Sequence, residues 1–299
     1  MKDFAGRTAF VTGGANGLGL GLARALLAQG CKVAVADIRR ASIDAALKTL
    51  GSEQAMGVEV DVSSRDALAR AADAVEAKFG VVTLLFNNAG VNLFQSIEES
   101  SYDDWDWIMG VNLQGPINGV MTFVPRMIRA GQGGYVVNTA SMAGFLASGV
   151  CGIYNTTKFA VRGMSESLRA SLAPHRIGVS VLCPGLVKSY IYASDEIRPA
   201  ALMAGAKPVR TEFVKYLAEV HEFGMEPEVI AVRVLEAMRE DRFQIFPHPE
   251  FKDELAEVFG EILADFRDYP ADPGQAKRVD FEKARRERYR EGRRGLKGS

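Results

Sequence analysis

The chain has 299 residues, 47% of them hydrophobic, with 36 basic side chains against 37 acidic ones. A net charge of −1 leaves no global attraction for nucleic acid or an anionic membrane, and no apolar run approaches the ~18 residues of a membrane-spanning helix. Met1-Lys2-Asp3-Phe4 enters the first expected strand without a secretory apolar region, so a soluble cytoplasmic protein with one large core is expected.

From the N-terminus, Ala9-Phe10-Val11 is a short apolar run that predicts a buried strand over 8–12. The glycine-rich turn Gly13-Gly14-Ala15-Asn16-Gly17-Leu18-Gly19 follows, and Leu20 to Leu27 continues as a helix. A helix that begins there aims free backbone N–H groups and a partial positive charge at a pyrophosphate. The glycine spacing departs from G-x-G-x-x-G, and such a turn alone is equally a tight strand-to-helix connection. Support comes from Lys32-Val33-Ala34-Val35-Ala36, a second buried-strand pattern ending at Asp37, eighteen positions after Gly19. A carboxylate there can accept hydrogen bonds from both hydroxyls of an adenosine ribose.

Further strands are predicted at 56–60, 83–87, 134–138, 177–183 and 243–247, separated by helical patterns. That alternation predicts a Rossmann-type, doubly wound α/β fold with a parallel sheet of about seven strands. Its ligand crevice lies at the carboxyl ends of the strands. Residues 102–128 read as one long helix disturbed around Asn112 by Gly110, Gly115 and Pro116, either as a break that frees a carbonyl or as a helix that tolerates an asparagine.

Tyr154 and Lys158 stand four positions apart in Tyr154-Asn155-Thr156-Thr157-Lys158, with Ser141 thirteen positions upstream. At i and i+4 a phenol and an ammonium leave one helix face, where the cation favours the phenolate and the pair can move a proton. A solvated tyrosine beside a surface charge is the plain alternative, and Ser141 could be an ordinary turn serine. Cys31, Cys151 and Cys183 are dispersed in apolar surroundings and read as buried reduced thiols. His175, His221 and His248 lack metal-ligand spacing, so no catalytic metal is expected.

Residues 189–227 are long for a connection and rich in Tyr190, Ile191, Tyr192, Leu202, Met203, Phe213, Tyr216, Leu217 and Met225, which predicts a helical lid. With Phe94, Met142, Phe145 and Leu146 they suit a bulky aromatic or alicyclic secondary alcohol, helix packing being the alternative. A domain over 1–270 is followed by a charged tail, 271–299. Residues 277–299 hold ten Lys or Arg against four Asp or Glu, net +6, read as a solvated, frayed helix.

These motifs together resemble the short-chain dehydrogenase/reductase family over residues 4 to about 250. Asp61-Val62 matches its adenine-side pair, Asn87-Asn88-Ala89-Gly90 the turn after its fourth strand, Asn138-Thr139-Ala140-Ser141 its serine segment, and Pro184-Gly185 the turn over the nicotinamide. The resemblance implies four catalytic positions: Tyr154 as acid or base, Lys158 as its partner and ribose ligand, Ser141 as donor to the substrate oxygen, and Asn112 as anchor of a water. Substrate contact is expected from Ser141, Tyr154, Phe94, Met142, Phe145, Tyr190 and Tyr192. Gly13, Asn16, Gly17, Leu18, Gly19, Asp37, Asp61, Val62, Asn88, Ala89, Gly90, Tyr154, Lys158, Pro184, Gly185 and Val187 would hold the cofactor.

Asp37, with neutral Asn16 and Ile38 where that family usually places cations for a 2′-phosphate, favours NAD; Arg39 and Arg40 leave NADP open. Local segments also look like bacterial Cα-dehydrogenases of lignin-derived β-aryl ethers, among them Tyr102-Asp103-Asp104-Trp105-Asp106-Trp107, Gly224-Met225-Glu226-Pro227 and Phe246-Pro247-His248-Pro249. The expected protein is an NAD-dependent oxidoreductase that interconverts a secondary alcohol and a ketone. It assembles as a homodimer or homotetramer through helices at 102–128 and 152–172, by resemblance. The rivals are an NADPH-dependent ketone or 3-oxoacyl reductase and a non-catalytic dinucleotide sensor, which would have lost Tyr154 or Lys158.

Overall fold

The structure is a computed structural model that describes residues 3–206 and 211–294. Residues 207–210 of the expected lid and 295–299 of the expected tail lie outside the described residues. The apolar runs become strands β1 (Thr8–Thr12), β2 (Lys32–Asp37), β3 (Ala55–Glu59), β4 (Val82–Asn87), β5 (Gly134–Thr139), β6 (Ile177–Leu182) and β7 (Gln244–Ile245). They pair in parallel in the order β3-β2-β1-β4-β5-β6-β7. Strand β7 is shorter than the sequence suggests: it pairs only with β6, through Val181↔Gln244 and Leu182↔Ile245. Pro247, which has no N–H to donate, stands two residues beyond its end.

The helices are α1 (Gly17–Ala28), α2 (Arg40–Leu50), α3 (Arg65–Phe79), α4 (Tyr102–Met109), α5 (Gly115–Ala130), α6 (Gly152–Leu172), α7 (Thr211–Glu222), α8 (Pro227–Arg239), α9 (Lys252–Ala264) and α10 (Gln275–Arg293). They cover both faces of the sheet, as a parallel sheet requires. Neighbours on one strand serve opposite layers: Val11 packs with Leu22 of α1 and Ile230 of α8, while Phe10 packs with Leu68 of α3 and Phe123 of α5. Strand β1 lies between β2 and β4, so the chain reverses direction across the sheet there and opens a crevice beyond the strand ends.

The predicted long helix is broken at the predicted place. A five-residue π-turn, Gly110–Gln114, separates α4 from α5, and the Gly115 N–H reaches back five residues to the Gly110 carbonyl. The cause is local. Pro116 has no N–H for the carbonyl of Asn112, four residues before it, and two glycines ease the widened turn.

The tail differs from the expected frayed helix. Helix α10 is continuous, and near its end the Tyr289 hydroxyl donates to Glu166 of α6, while Gly292 lies so close to Ala170 that an added Cβ would approach its Cβ to 2.9 Å.

A buried network secures the β7 edge. Arg169 of α6 donates to the Asp241 carboxylate at 2.9 Å, to the Asp241 carbonyl at 2.9 Å and to the Val179 carbonyl at 2.8 Å, and the Tyr135 hydroxyl donates to Asp241 at 3.1 Å. The ion pair is almost fully withdrawn from solvent, so losing one partner strands a charge. Asp241 also holds a left-handed backbone, φ +52°, that asparagine tolerates. Asp241→Asn is therefore expected to cost about 3–5 kcal/mol of stability in denaturant unfolding. A cost below about 1 kcal/mol would show that the edge does not depend on the pair.

Candidate active site

The dinucleotide half is built from the strand ends beside the β1/β4 reversal. Thr12 closes β1, and its hydroxyl oxygen accepts the N–H groups of Asn88 at 2.9 Å and Ala89 at 3.0 Å, which stitches the two turns together. Asn88 returns its amide to the Thr12 carbonyl at 3.1 Å. Gly13 must be glycine here: its φ is +61° and an added Cβ would stand 2.9 Å from the Ala89 Cα. Gly19 packs harder still, since a Cβ there would sit 2.0 Å from the Gly13 carbonyl oxygen; it holds α1 against the turn and does not line the cavity. Helix α1 starts with no side-chain cap bond from Asn16 and no acidic residue in its first turn, leaving its N-terminal dipole uncompensated locally. At the tip of β2, Asp37 accepts N–H bonds from Ala15 at 3.4 Å and Arg39 at 3.3 Å. Of the two arginines, Arg39 lines the cavity and Arg40 pairs with Asp44.

One cavity of about 1010 Å³ joins these residues to the catalytic candidates. Its wall includes Gly13, Asn16, Gly17, Leu18, Asp37, Asp61, Val62, Asn88, Ala89, Gly90, Ser141, Tyr154, Lys158, Pro184, Gly185 and Val187. Sequence positions up to 174 residues apart thus meet at one surface, as expected of the strand ends in this topology.

Lys158 follows Tyr154 by one turn of α6, and its Nζ lies 5.2 Å from the Tyr154 ring centroid. The ammonium donates to the Thr139 carbonyl at the end of β5, at 3.0 Å. Ser141 accepts the Ala143 N–H at 3.1 Å and donates to the Pro184 carbonyl at 3.3 Å. Burial pushes the Tyr154 phenol up to about 12, with a hydrogen bond to Ser141 acting the other way. Burial also takes Lys158 down to about 8, against a small opposing influence of Cys183. In the protein alone desolvation governs both groups, so the phenol beside Lys158 is raised rather than acidified.

Asn112, fully buried, accepts the Val91 N–H at 2.8 Å and donates to the Val91 carbonyl at 2.8 Å. It does not line the cavity. It stands close behind it: a Cβ added at Gly90 would lie 3.5 Å from the Asn112 Oδ1 and 3.6 Å from the Lys158 Nζ.

In the substrate half, Phe94, Tyr190 and Tyr192 line the cavity as expected. Met142 and Phe145 do not. Both belong to a core cluster, where the Phe145 ring meets Phe246 at 5.4 Å and the Arg162 guanidinium at 3.9 Å. The short 3₁₀ turn Met142–Gly144 directs the chain inward, so proximity to Ser141 in sequence misled the expectation.

Asn92, Trp107, Cys151, Asn155, His221 and Phe251 line the cavity without having been singled out as lining residues. Helical spacing reaches Cys151, three residues before Tyr154, and Asn155, three before Lys158; the others meet the cavity only through tertiary packing. All three cysteines are free and buried.

Buried contacts hold the segment from 189 to 206. Arg198 donates to Asp104 at 2.6 Å and lies over the Trp107 ring, and the Ser194 hydroxyl accepts the Asn92 N–H at 3.1 Å. A lysine whose folded pKa is depressed costs stability whenever it is protonated, because the unfolded chain binds that proton more readily. Lys158→Met should accordingly be more stable than the parent at pH 7, by roughly 1–3 kcal/mol. Between about 8 and 10.5 the parent should gain stability as pH rises, narrowing the gap in paired denaturant titrations. A parent more stable than the variant across that range would contradict the buried, depressed lysine.

Comparison with known proteins gives the same reading. The family model described as short chain dehydrogenase matches residues 7–198. The chain is 41% identical over 285 residues to the C alpha-dehydrogenase of Sphingobium sp. strain SYK-6, covering 94% of this chain and 93% of that one. A structure described as a short-chain dehydrogenase from Novosphingobium aromaticivorans superposes with a TM-score of 0.87 at 59% identity, covering 99% of this chain and all of that one. A short-chain dehydrogenase/reductase from Burkholderia phymatum, solved in complex with NAD, superposes at 0.85 with 34% identity, covering 91% and 99% of the two chains. The chain belongs to the short-chain dehydrogenase family and is an oxidoreductase that interconverts an alcohol and a ketone.

Proposed function

We propose that this protein is an NAD-dependent dehydrogenase of a bulky aromatic secondary alcohol, the Cα carbinol of a lignin-derived β-aryl ether being the substrate class favoured. The observation that carries the reading is Tyr154, one helical turn from Lys158, on the wall of the cavity that also holds Ser141 and Asp37. The name of the Sphingobium relative supports the substrate class, and Phe94, Trp107, Tyr190 and Tyr192 supply flat apolar surface for aryl rings.

The residues present fit a dinucleotide. Gly13 and Gly19 let backbone approach closely, α1 offers its N-terminus to a pyrophosphate, and Asp37 can accept bonds from ribose hydroxyls while repelling a 2′-phosphate. When bound, the nicotinamide supplies the hydride acceptor for the carbinol carbon. Tyr154 takes the carbinol proton on oxidation and returns it on reduction. Ser141 turns its single hydroxyl proton from the Pro184 carbonyl to the substrate oxygen, and Lys158, anchored on Thr139, holds a ribose hydroxyl and favours the phenolate. Asn112, behind Gly90, has a carbonyl that Pro116 denies its α-helical N–H donor, and there it can hold a water. Homodimer or homotetramer assembly belongs to the same reading, supported by exposed Met121 on α5 and Phe159 on α6.

Arg39 on the cavity wall favours a second reading, NADPH-dependent ketone reduction. Both are tested by following NADH formation with a panel of aryl carbinols, including β-aryl ethers. Tyr154→Phe should keep NADH affinity within a few-fold and lose about 10²–10⁴-fold in turnover; normal turnover would exclude the assigned base. Asp37→Ser should raise the efficiency ratio of NADP to NAD by at least about tenfold. A parent enzyme that prefers NADP would overturn the cofactor assignment.

A further inference from the structure

His248 lies far in sequence from the catalytic residues, in Phe246-Pro247-His248-Pro249, yet both its ring nitrogens are bonded to the turn at the end of β6. The Gly185 N–H reaches Nδ1 at 3.0 Å, and Nε2 lies 2.9 Å from the Leu186 carbonyl. A backbone N–H can only donate, so Nδ1 accepts, the ring proton resides on Nε2, and Nε2 donates to Leu186. The ring is therefore neutral, 4% exposed and committed at both ends. Its one ring lone pair and its one ring proton are both engaged.

The same turn is gripped from a second side by Gly224-Met225-Glu226-Pro227. The Met225 N–H donates to the Leu186 carbonyl at 2.9 Å, and the Lys188 N–H donates to the Met225 carbonyl at 3.1 Å. The approach requires glycine at 224, where a Cβ would stand 2.4 Å from the Lys188 nitrogen. Arg233 of α8 joins the two braces, donating to the Pro247 carbonyl and lying 3.5 Å from the Met225 sulfur. Phe251 closes the back of the turn: a Cβ on Gly185 would meet its ring at 2.3 Å. On the other side, the Pro184 carbonyl accepts from both the Met142 N–H and the Ser141 hydroxyl. The clamp thus runs from His248 through Gly185 and Pro184 to the serine proposed to hold the substrate oxygen.

We propose that His248 is a positioning residue for hydride transfer, which with the Met225 backbone holds the Pro184–Val187 turn in the conformation that walls the nicotinamide end of the cavity. The assignment rests on the dinucleotide reading above; its substance is that two local motifs distant in sequence are one brace. Hydrogen bonds at both ends of a rigid ring restrict the turn more than packing alone, since losing the ring leaves the half-buried Gly185 N–H unpaired and the Leu186 carbonyl with the Met225 N–H as its remaining donor.

The test compares the full-length parent with His248→Phe, His248→Asn and His248→Gln by amide hydrogen exchange, NADH fluorescence titration and steady-state kinetics. His248→Phe, which keeps the volume and removes both bonds, should speed exchange across 185–188 at least about tenfold and weaken NADH binding at least about tenfold, while strand β1 exchanges as in the parent. His248→Asn, able to accept from Gly185, and His248→Gln, able to donate to Leu186, should each recover part of the protection and part of the affinity. Unchanged exchange in His248→Phe overturns the clamp. Faster exchange with parental NADH affinity and turnover overturns the positioning role. Equal losses in all three variants, with β1 exchange also raised, mark damage to the whole fold and overturn it as well. If the alcohol panel fails, exchange and NADH binding still report on the clamp, so the two failures are distinguishable.

Discussion

The Lys158 ammonium donates to the carbonyl of Thr139 where β5 ends, and this bond fixes α6 against the sheet edge of the cavity. Tyr154 rides one turn earlier on the same helix, so its phenol is aimed by the same contact, and Ser141, two residues beyond Thr139, faces it. Were α6 to rotate by one residue, about 100°, neither group would address the space between β5 and the Pro184 turn. The serine itself is fixed through Pro184, which couples the geometry of the reacting groups to everything that holds that turn.

Burial gives this arrangement its character. Both groups are withdrawn from water, which raises the phenol and depresses the ammonium, the reverse of what a proton-transfer pair needs near neutral pH. The protein alone therefore keeps the phenol firmly protonated. A dinucleotide bound as proposed would change the balance, with ribose hydroxyls at Lys158 and the positive charge of an oxidised nicotinamide near Tyr154. On this account the acid–base function is completed by the cofactor, and the fold tolerates a destabilising lysine for its sake.

The parts legible in the sequence are those where local chemistry and distant geometry agree. The i, i+4 spacing placed Tyr154 and Lys158 together because helix geometry alone decides it. Asp37 was legible as the polar end of a buried strand, and it stands at the tip of β2 on the cavity wall. The break at Asn112 was legible from Gly110, Gly115 and Pro116, each a backbone constraint. Side-chain direction in irregular turns was not legible: Met142 and Phe145 follow Ser141 closely but turn into a core completed by Phe243, Phe251 and Leu255, about 100 residues later. The buried Arg198–Asp104 pair, 94 residues apart, and the His248 brace, 63 from Gly185, carry no periodicity or motif grammar that would pair them in advance.

The central claim is that Tyr154 becomes an accessible base only in the dinucleotide complex. Tyrosinate absorbance, titrated for the parent minus Tyr154→Phe, isolates this one phenol among the eight tyrosines. Without NAD its ionisation should lie near 12, and saturating NAD should move the midpoint down by several pH units. A midpoint that stays in place when NAD binds would contradict the account.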